Sequence, residues 1–263
     1  MISSLASVHP KAKIGNNVTI EPFAMIYADV VIGDNCWIGS NVVIFDGARI
    51  GNDCKFFPGA VISAVPQDLK YNGEPTTTEI GNGNIIRECV TINKGTVASG
   101  KTVIGDKNLL MAYVHVAHDC FIGNHCILAN GVTLAGHIEI EDHAIIGGLS
   151  AIHQFVRIGK HVMISGGSLV RKDVPPFTKC AHEPLSYVGV NAVGLRRRGY
   201  TNDQINVVQS IYRLLFVQNH SVKKGVEEIE AGIEATTERD EVLSFISKSQ
   251  RGLMKGYVKE EEE

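Results

Sequence analysis

A concentration of histidine and aspartate in residues 115–137 is the strongest chemical signal in the sequence, and it includes the adjacent pair His118 and Asp119. An imidazole titrates near neutral pH, so a histidine in such a cluster is a candidate general base toward a hydroxyl. Gly136 and Gln154 follow His118 at two equal intervals along the chain. A glycine leaves its N–H unshielded, and such a donor can stabilise an oxyanion. These residues indicate acid–base catalysis if the fold brings such positions together.

A repeat of six residues predicts a fold that brings such positions together. Large aliphatic residues or phenylalanine recur at every sixth position from Val8 to Ile62, and again from Ile104 to Val170. A small or β-branched residue stands four positions after the large one, and Gly, Asn and Asp cluster between them as in tight turns. This period fits neither an α-helix nor a hairpin. Three units would form one triangular coil, with coils stacked about 4.8 Å apart. The sequence therefore predicts a mainly β protein built as a parallel β-helix.

Stacked coils would sort the candidate residues into columns, because positions separated by three repeat units lie above one another. His118, Gly136 and Gln154 fall in one column, and Asp119 and His137 fall in the neighbouring one. One corner of the β-helix would then gather histidine, aspartate, glutamine and an open backbone N–H. This arrangement predicts a site for general-base catalysis with an oxyanion donor.

A second column contains His125, His143 and His161, which are separated by the same interval of three repeat units. Three histidines can bind zinc, but imidazoles stacked at the coil spacing cannot all ligate one ion with normal geometry. We therefore predict no metal site here, and we expect exposed corners or corners that face another copy of the chain.

Two interruptions of the repeat, residues 64–79 and 94–103, preserve its phase on either side. Each is either an irregular coil or a loop that leaves the coil, and long excursions from regular structure are often functional. The repeat ends at Val-Pro-Pro (174–176), and helical patterning follows.

The helical part is predicted from a capping box at 201–204 and from further apolar periodicity over 222–235 and 241–248. We therefore predict a β-helix domain over residues 1–186 and a small α-helical domain over 187–263.

The composition describes a folded chain without a strong charge bias. Its 263 residues are 44% hydrophobic and 20% charged, with a formal net charge of −3. These values argue against disorder and against a basic surface for nucleic acid. No apolar run reaches the roughly 18 residues of a spanning helix, and the N-terminus does not resemble a signal peptide. The six cysteines form no CxxC pair. We expect a cytoplasmic protein without stable membrane insertion.

Longer stretches carry a specific resemblance, and together they span most of the chain. They are QDLKYNGEPT (67–76), IRECVTINKGT (86–96), HVAHDCFIGNHCILAN (115–130), LAGH (134–137), AIIGGLSAIHQF (144–155), GVNAVGLRRRG (189–199) and SQRGL (249–253). In these stretches the sequence resembles the UDP-N-acetylglucosamine O-acyltransferase family, whose members open lipid A synthesis in Gram-negative bacteria. The resemblance implies a left-handed β-helix, whereas the general rule for parallel crossovers would favour the right hand.

The activity implied by the resemblance is transfer of a 3-hydroxyacyl chain from acyl carrier protein to the 3-hydroxyl of UDP-N-acetylglucosamine. It implies His118 as the general base, Asp119 as its partner and the Gly136 N–H as the oxyanion donor. Adjacent residues of a strand point to opposite faces, so contact between His118 and Asp119 requires a turn at this place. A thioester is already activated, and neither a metal nor an organic cofactor is expected.

Further positions follow from the resemblance as contacts to the nucleotide sugar, in a site built between neighbouring subunits of a homotrimer. They are Asp68, Lys70, His115, His137, Gln154, Asn191, Arg197 and Arg198. The chain departs from the family at Val193 and Pro184, where a polar residue and a histidine are usual. Gly166 falls where the family closes the far end of the acyl groove, and its missing side chain predicts a preference for long acyl chains.

Three other functions remain open from the sequence. The related N-acyltransferase of the same pathway also uses a histidine, but it normally carries an additional N-terminal domain, whereas the repeat begins here at Val8. A metal-binding β-helix such as a zinc carbonic anhydrase and a purely structural β-helix are the others. The choice between the ordinary sugar and its 3-amino analogue also stays open.

Overall fold

The computed structural model describes residues 1–219 and 221–256, and in it the six-residue repeat forms the coils of a parallel β-helix. Each complete coil contributes one short strand to each of three sheets, and the third sheet also includes two strands of the C-terminal part, Ser186–Val190 and Lys255–Gly256. The first sheet contains Ser7–Val8, Met25–Ile26, Val43–Ile44, Val61–Ala64, Thr91–Asn93, His115–Val116, Thr133–Leu134, Ala151–Ile152 and Leu169–Val170. The second contains Lys13–Ile14, Val31–Ile32, Ala48–Ile50, Thr77–Ile80, Lys101–Ile104, Phe121–Ile122, Glu139–Ile140 and Arg157–Ile158. The third contains Thr19–Ile20, Trp37–Ile38, Lys55–Phe56, Ile85–Ile86, Leu109–Leu110, Ile127–Leu128, Ile145–Ile146, Met163–Ile164, Thr178–Ala181, Ser186–Val190 and Lys255–Gly256.

The interior of the β-helix is filled by the large residue of each repeat. Ile32, Ile38 and Ile44 are the second residues of their strands, and all three are buried. Small residues such as Ala24 and Cys36 are buried at the corners, because the narrow interior leaves no room there for a larger side chain. One continuous apolar core therefore runs along the coils.

Tight corner turns separate the strands, and most of them redirect the chain through a residue with positive φ. Asn35 has φ 59° and Asp119 has φ 60°. Asparagine and aspartate enter this left-handed region more readily than most residues. The turn chemistry of the repeat is therefore a condition for closing the triangular coil.

Both interruptions of the repeat leave the β-helix at one corner, between the first and second sheets. Strand partners in regular coils are separated by three repeat units, as Ser7 and Met25 are. Val61 pairs with Thr91, which lies five repeat lengths later, and Thr91 pairs with His115, which lies four repeat lengths later. The added length forms two outward loops, the first loop (residues 65–76) and the second loop (residues 94–100). The ends of both predicted interruptions belong instead to the strands that follow.

The C-terminal part contains helices α1 (Ala192–Arg197), α2 (Asn202–Tyr212), α3 (Val222–Gly232) and α4 (Thr237–Ser247), with a π-helix (Arg213–Gln218) directly after α2. The predicted capping box is confirmed, since Thr201 and Gln204 cap α2 reciprocally. The helix predicted over 241–248 begins earlier, because the Thr236 hydroxyl accepts the Arg239 N–H and caps α4. The predicted helix over 222–235 ends at Gly232. The sequence pattern does not predict α1.

These helices enclose a second apolar core that includes Phe177, Ile205 and Tyr212. Tyr212 is fully buried, and its hydroxyl donates to the Pro176 carbonyl at 2.5 Å. The predicted domain boundary at 186/187 falls inside the strand Ser186–Val190, which pairs antiparallel with Thr178–Ala181. None of the described helices is long and apolar enough to cross a membrane.

Candidate active site

The corner that carries both loops also carries the predicted catalytic column. His118, Gly136 and Gln154 occupy the turns that follow strands His115–Val116, Thr133–Leu134 and Ala151–Ile152. A Cβ atom built on Gly136 would lie 2.6 Å from Cε1 of His118. The imidazole therefore occupies the space that a side chain at position 136 would need, and the close approach requires glycine.

The turn after His115–Val116 brings His118 and Asp119 together. Nδ1 of His118 lies 2.8 Å from Oδ2 of Asp119, and both side chains are buried. The positive φ of Asp119 (60°) turns its side chain to the same side as that of His118. The turn that contact between His118 and Asp119 requires is therefore present.

The second loop holds the Asp119 carboxylate from the other side. Oδ1 accepts the Thr96 N–H at 2.9 Å and the Ser99 N–H at 3.3 Å, and Oδ2 accepts the Thr96 hydroxyl at 2.7 Å. The Ser99 hydroxyl also donates to Oδ1. Burial alone would raise the pKa of Asp119, but hydrogen bonds from Ser99, Thr96 and His118 lower that pKa to about 2. Asp119 is therefore ionised at neutral pH.

An ionised Asp119 fixes the tautomer of His118. A carboxylate can only accept hydrogen bonds, so Nδ1 of His118 must donate. In the neutral ring Nε2 then carries the lone pair, and it is this nitrogen that can take a proton from a substrate hydroxyl. The site is arranged as a base oriented by a carboxylate.

His137 forms the second imidazole of the corner. Its ring meets that of His118 edge to face at a centroid distance of 5.1 Å, and it stacks on Phe155 at 4.7 Å. Nε2 of His137 lies 3.7 Å from Oδ2 of Asp119. Burial lowers the pKa of His137, and the Asp119 charge partly opposes this. His137 is thus neutral at pH 7 and available as a hydrogen-bonding group.

The other predicted substrate contacts of this corner surround the pair. His115 points outward from its strand, its Nδ1 lies 2.7 Å from the Thr91 hydroxyl, and burial lowers its pKa. Gln154 is half-buried in the next coil but one. Asp68 lies in the first loop, where it accepts the Lys70 N–H at 2.9 Å, and its charge reaches His137. Lys70 is exposed beside it.

Four predicted site residues lie elsewhere in the chain. Gly166 is in a turn between the third and first sheets, after Met163–Ile164. Asn191 caps α1: its Oδ1 accepts the Gly194 N–H at 3.2 Å, and its Nδ2 donates to the His161 carbonyl at 2.9 Å. Arg197, in α1, is exposed, whereas Arg198 donates to the Gly194 carbonyl at 3.1 Å. One chain therefore does not bring these residues to His118.

The second histidine column lies at the corner between the second and third sheets. His125 stacks on His143 at 4.9 Å, and His143 on His161 at 4.8 Å. His125 is exposed, but the expectation of exposed or partner-facing corners is wrong for His161, which is buried because Tyr200 and Phe177 cover it. The parallel stacking leaves no common point for one ion.

His118, Asp119 and His137 could offer three ligand atoms within 4.8 Å of one another, the one group of this kind in residues 1–219 and 221–256. An ion there would compete with the hydrogen bonds that Thr96 and Ser99 make to Asp119. It would also take the lone pair that a general base needs. The donor set fits a hydrogen-bonded pair better than a metal centre.

Sequence reasoning missed Thr96, Ser99 and Thr91. Thr96 and Ser99 lie inside the interruption KGTVASGKTV, which the sequence marks as a functional excursion without assigning a partner. Thr91 precedes His115 by one regular coil and one extra repeat length. The two residues are neighbours because the second loop takes up the extra length, and the sequence alone does not show this.

Comparison with known proteins matches both parts of the chain. A family model described as "Udp N-acetylglucosamine O-acyltransferase; Domain 2" matches residues 173–254. A model described as "Bacterial transferase hexapeptide (six repeats)" matches residues 11–46, 29–64 and 101–136.

Similar proteins cover most of the chain. The acyl-[acyl-carrier-protein]–UDP-N-acetylglucosamine O-acyltransferase of Burkholderia lata is 45% identical over 201 residues, which are 74% of this chain and 77% of that protein. A solved UDP-N-acetylglucosamine acyltransferase from Bacteroides fragilis shows 49% identity and a TM-score of 0.96, covering 97% of this chain and 100% of that one. The Arabidopsis enzyme shows 33% identity and a TM-score of 0.84, with coverage of 97% and 100%.

A β-helix of hexapeptide repeats followed by a helical C-terminal part places the chain among the left-handed β-helix transferases. Within that class, the identity and the coverage of these relatives show that the chain belongs to the UDP-N-acetylglucosamine O-acyltransferase family. The resemblance seen in the sequence is confirmed, and so is the left-handed sense that it implied.

Proposed function

We propose that the chain transfers a 3-hydroxyacyl group from acyl carrier protein to the 3-hydroxyl of UDP-N-acetylglucosamine, the first step of lipid A synthesis. Nε2 of His118 takes the proton of the sugar 3-hydroxyl while the oxygen of that hydroxyl attacks the carbonyl carbon of the thioester. The C–S bond then breaks, and the protonated His118 returns the proton to the leaving thiolate. The Gly136 N–H stabilises the oxyanion that forms between these steps.

The observation that carries this proposal is the 2.8 Å contact between His118 and an ionised Asp119, directly against Gly136. It gives a weak nucleophile the oriented base it needs. The thioester supplies its own activation, so the proposed reaction uses no cofactor. Asp68, Lys70, His115, His137 and Gln154 are proposed to bind the nucleotide sugar around this corner.

We further propose a cytoplasmic homotrimer, because one chain leaves the site incomplete. Gly166, Asn191, Arg197 and Arg198 lie away from the corner with His118. Triangular β-helices can pack around a threefold axis, and a corner of one copy then faces a different corner of the next. The sugar would bind between the corner of one subunit and the arginines of its neighbour, and the acyl chain would run toward Gly166.

Purified protein incubated with UDP-N-acetylglucosamine and a panel of 3-hydroxyacyl carrier proteins tests the proposal. We expect an O-acylated nucleotide sugar by mass spectrometry and a trimer by sedimentation. If the acyl chain is transferred only to the nitrogen of the 3-amino analogue, the acceptor is a different sugar. Zinc bound in stoichiometric amount would favour a metal-centred function. A monomer that is fully active would contradict the shared site.

A further inference from the structure

We propose that Thr96 and Ser99 are positioning residues, whose hydroxyl and N–H groups lock the Asp119 carboxylate so that it orients His118 rather than His137. This inference rests on the proposed function, since it assigns these two residues to the same reaction. Neither residue reaches the reacting atoms itself, and both act through Asp119.

The two oxygens of Asp119 are held differently. Oδ1 accepts the N–H groups of Thr96 and Ser99, at 2.9 and 3.3 Å, together with the Ser99 hydroxyl. Oδ2 accepts the Thr96 hydroxyl at 2.7 Å and faces Nδ1 of His118 at 2.8 Å. Bonds on both oxygens fix the plane of the carboxylate, and Oδ2 is the atom presented to the imidazole.

Two imidazoles compete for that oxygen. Nε2 of His137 lies 3.7 Å from Oδ2 of Asp119, close enough for a small rotation of the carboxylate to bring the two into hydrogen-bonding distance. A shift toward His137 would leave Nδ1 of His118 without its acceptor and release its tautomer. Thr96 and Ser99 oppose this rotation, so they determine which histidine is the oriented base.

The second loop is built to present these groups. The backbone folds back on itself at Gly95, where a Cβ atom would lie 2.3 Å from the Lys101 nitrogen. The Gly100 N–H donates to the Thr96 carbonyl at 2.8 Å and closes the loop. The following coil turns the same corner between His115–Val116 and Phe121–Ile122 without such a loop, so the added residues of the second loop are available to bind the carboxylate.

The first test measures kcat and KM separately for Thr96→Val, Ser99→Ala and the double variant. Hydrogen bonds to a charged group are among the stronger ones. We expect kcat to fall about 10-fold in each single variant and about 100-fold in the double, with KM within about twofold of wild type. Thr96→Ser restores the hydroxyl and should restore kcat. Ser99 lies at the surface, so Ser99→Ala folds even if a buried valine at position 96 does not.

The matched control is Thr76→Val. Thr76 is a buried threonine with an equally short bond in the same pair of loops, but it does not touch Asp119. We expect its kcat to stay within about twofold of wild type. Equal losses in Thr76→Val and Thr96→Val would show that loop rigidity alone matters and would overturn the proposal.

A double-mutant cycle separates positioning from a general structural effect. In the Asp119→Ala background, Thr96→Val should cause no further loss of kcat, because no side-chain oxygen is left for the Thr96 hydroxyl to bind. An undiminished 10-fold loss in that background would contradict the proposal. The acid limb of the pH–rate profile of the double variant should lie at higher pH than that of the wild type, because the loss of the two hydroxyl hydrogen bonds raises the pKa of Asp119. Wild-type protein without transferase activity would overturn the proposed function itself.

Discussion

At the scale of single residues, the chemistry of the corner depends on the direction in which side chains leave a turn. His118 and Asp119 are neighbours in sequence, and in a continuous strand they would point to opposite faces. The left-handed conformation of Asp119 places both on one side, and Gly136 leaves the space that the imidazole fills. These two backbone features orient the imidazole for the role of base that we propose for it.

The corresponding prediction is that His118→Ala abolishes turnover without unfolding the protein. Loss of a general base costs about 10²- to 10⁴-fold in rate, and alanine at this corner removes no part of the apolar core. Steady-state kinetics should show the loss in kcat, while circular dichroism and the melting temperature should stay close to those of the wild type. His125→Ala, at an exposed position of another corner, is the control and should retain full activity. Activity near the wild-type level in His118→Ala would rule out the assignment.

At the scale of structural elements, the corner between the second and third sheets is held by a ladder of side-chain oxygens. Each oxygen accepts the backbone N–H of the residue one coil earlier, as Asn124 Oδ1 does from Asp106 at 2.7 Å and Asp142 Oδ1 does from Asn124 at 2.6 Å. The members are Asn16, Asp34, Asn52, Asn82, Asp106, Asn124 and Asp142. Asparagine separates the aspartates throughout, so carboxylates in successive coils do not face one another.

This alternation predicts that Asn124→Asp destabilises the β-helix. The variant would place three carboxylates in a row, from Asp106 to Asp142, and it would lose the Asn124 side-chain N–H bond to Asp142 at 3.1 Å. Like charges directly opposite in a sheet are destabilising. We expect a melting temperature lower by about 3 °C for each kcal/mol lost at pH 7. The deficit should shrink as the pH is lowered to 4, because protonation removes the repulsion.

Asn130→Asp is the control for that measurement, since it introduces the same charge at an exposed corner without acidic neighbours in its column. Its melting temperature should match that of the wild type at both pH values. If Asn124→Asp were equally stable at pH 7, the alternation of the ladder would have no energetic significance.

At the scale of the whole molecule, the β-helix and the C-terminal helices meet at His161. Its ring stacks on Phe177 at 5.8 Å and meets Tyr200 edge to face at 5.3 Å. Its Nδ1 has no hydrogen-bond partner in the described part of the chain. Burial, together with the charges of His143, Arg198 and Lys160, lowers the pKa of His161 to about 3.

The sign of this shift predicts acid sensitivity. Above about pH 6.5 His161 is neutral in the folded and unfolded states. Between that value and about 3 the unfolded chain binds the proton and the folded chain does not, so stability falls as the pH is lowered. His161→Phe continues the stack without a titrating group. Its melting temperature should therefore exceed that of the wild type at pH 5, and the difference should narrow at pH 8. A constant difference at both pH values would contradict this origin.

The proposed acyl groove depends on the proposed trimer. A Cβ atom at Gly166 would lie 3.1 Å from the Gly148 carbonyl oxygen, so a side chain there requires the neighbouring backbone to shift by a few tenths of an ångström. Each additional buried CH₂ contributes about 0.8 kcal/mol, which is enough to set a chain-length preference. In the proposed trimer, Gly166→Met should shift the preference from long 3-hydroxyacyl chains to shorter ones, measured with the same panel of acyl carrier proteins. An unchanged profile would place the end of the groove elsewhere.

The architecture could be predicted from the sequence alone, because every six-residue unit specifies the same local structure. The large residue, the small residue and the turn residues specify a strand and a corner each time, and stacking of identical coils needs no long-range information. The same arithmetic placed His118, Gly136 and Gln154 in one column. The helix after the capping box at Thr201 was likewise readable from local signals.

The contacts that reach this corner from outside the repeat could not be predicted from the sequence. The bonds from Thr96 and Ser99 to Asp119 depend on how a loop of irregular sequence folds back, and no periodicity encodes that path. Burial of His161 depends on Tyr200, which belongs to a different core. Local sequence patterns specify the strands and turns of each coil. Contacts between loops, helices and coils depend on the packing of residues that lie far apart in the sequence. The orientation of the His118 ring is therefore a property of the folded molecule rather than of any segment.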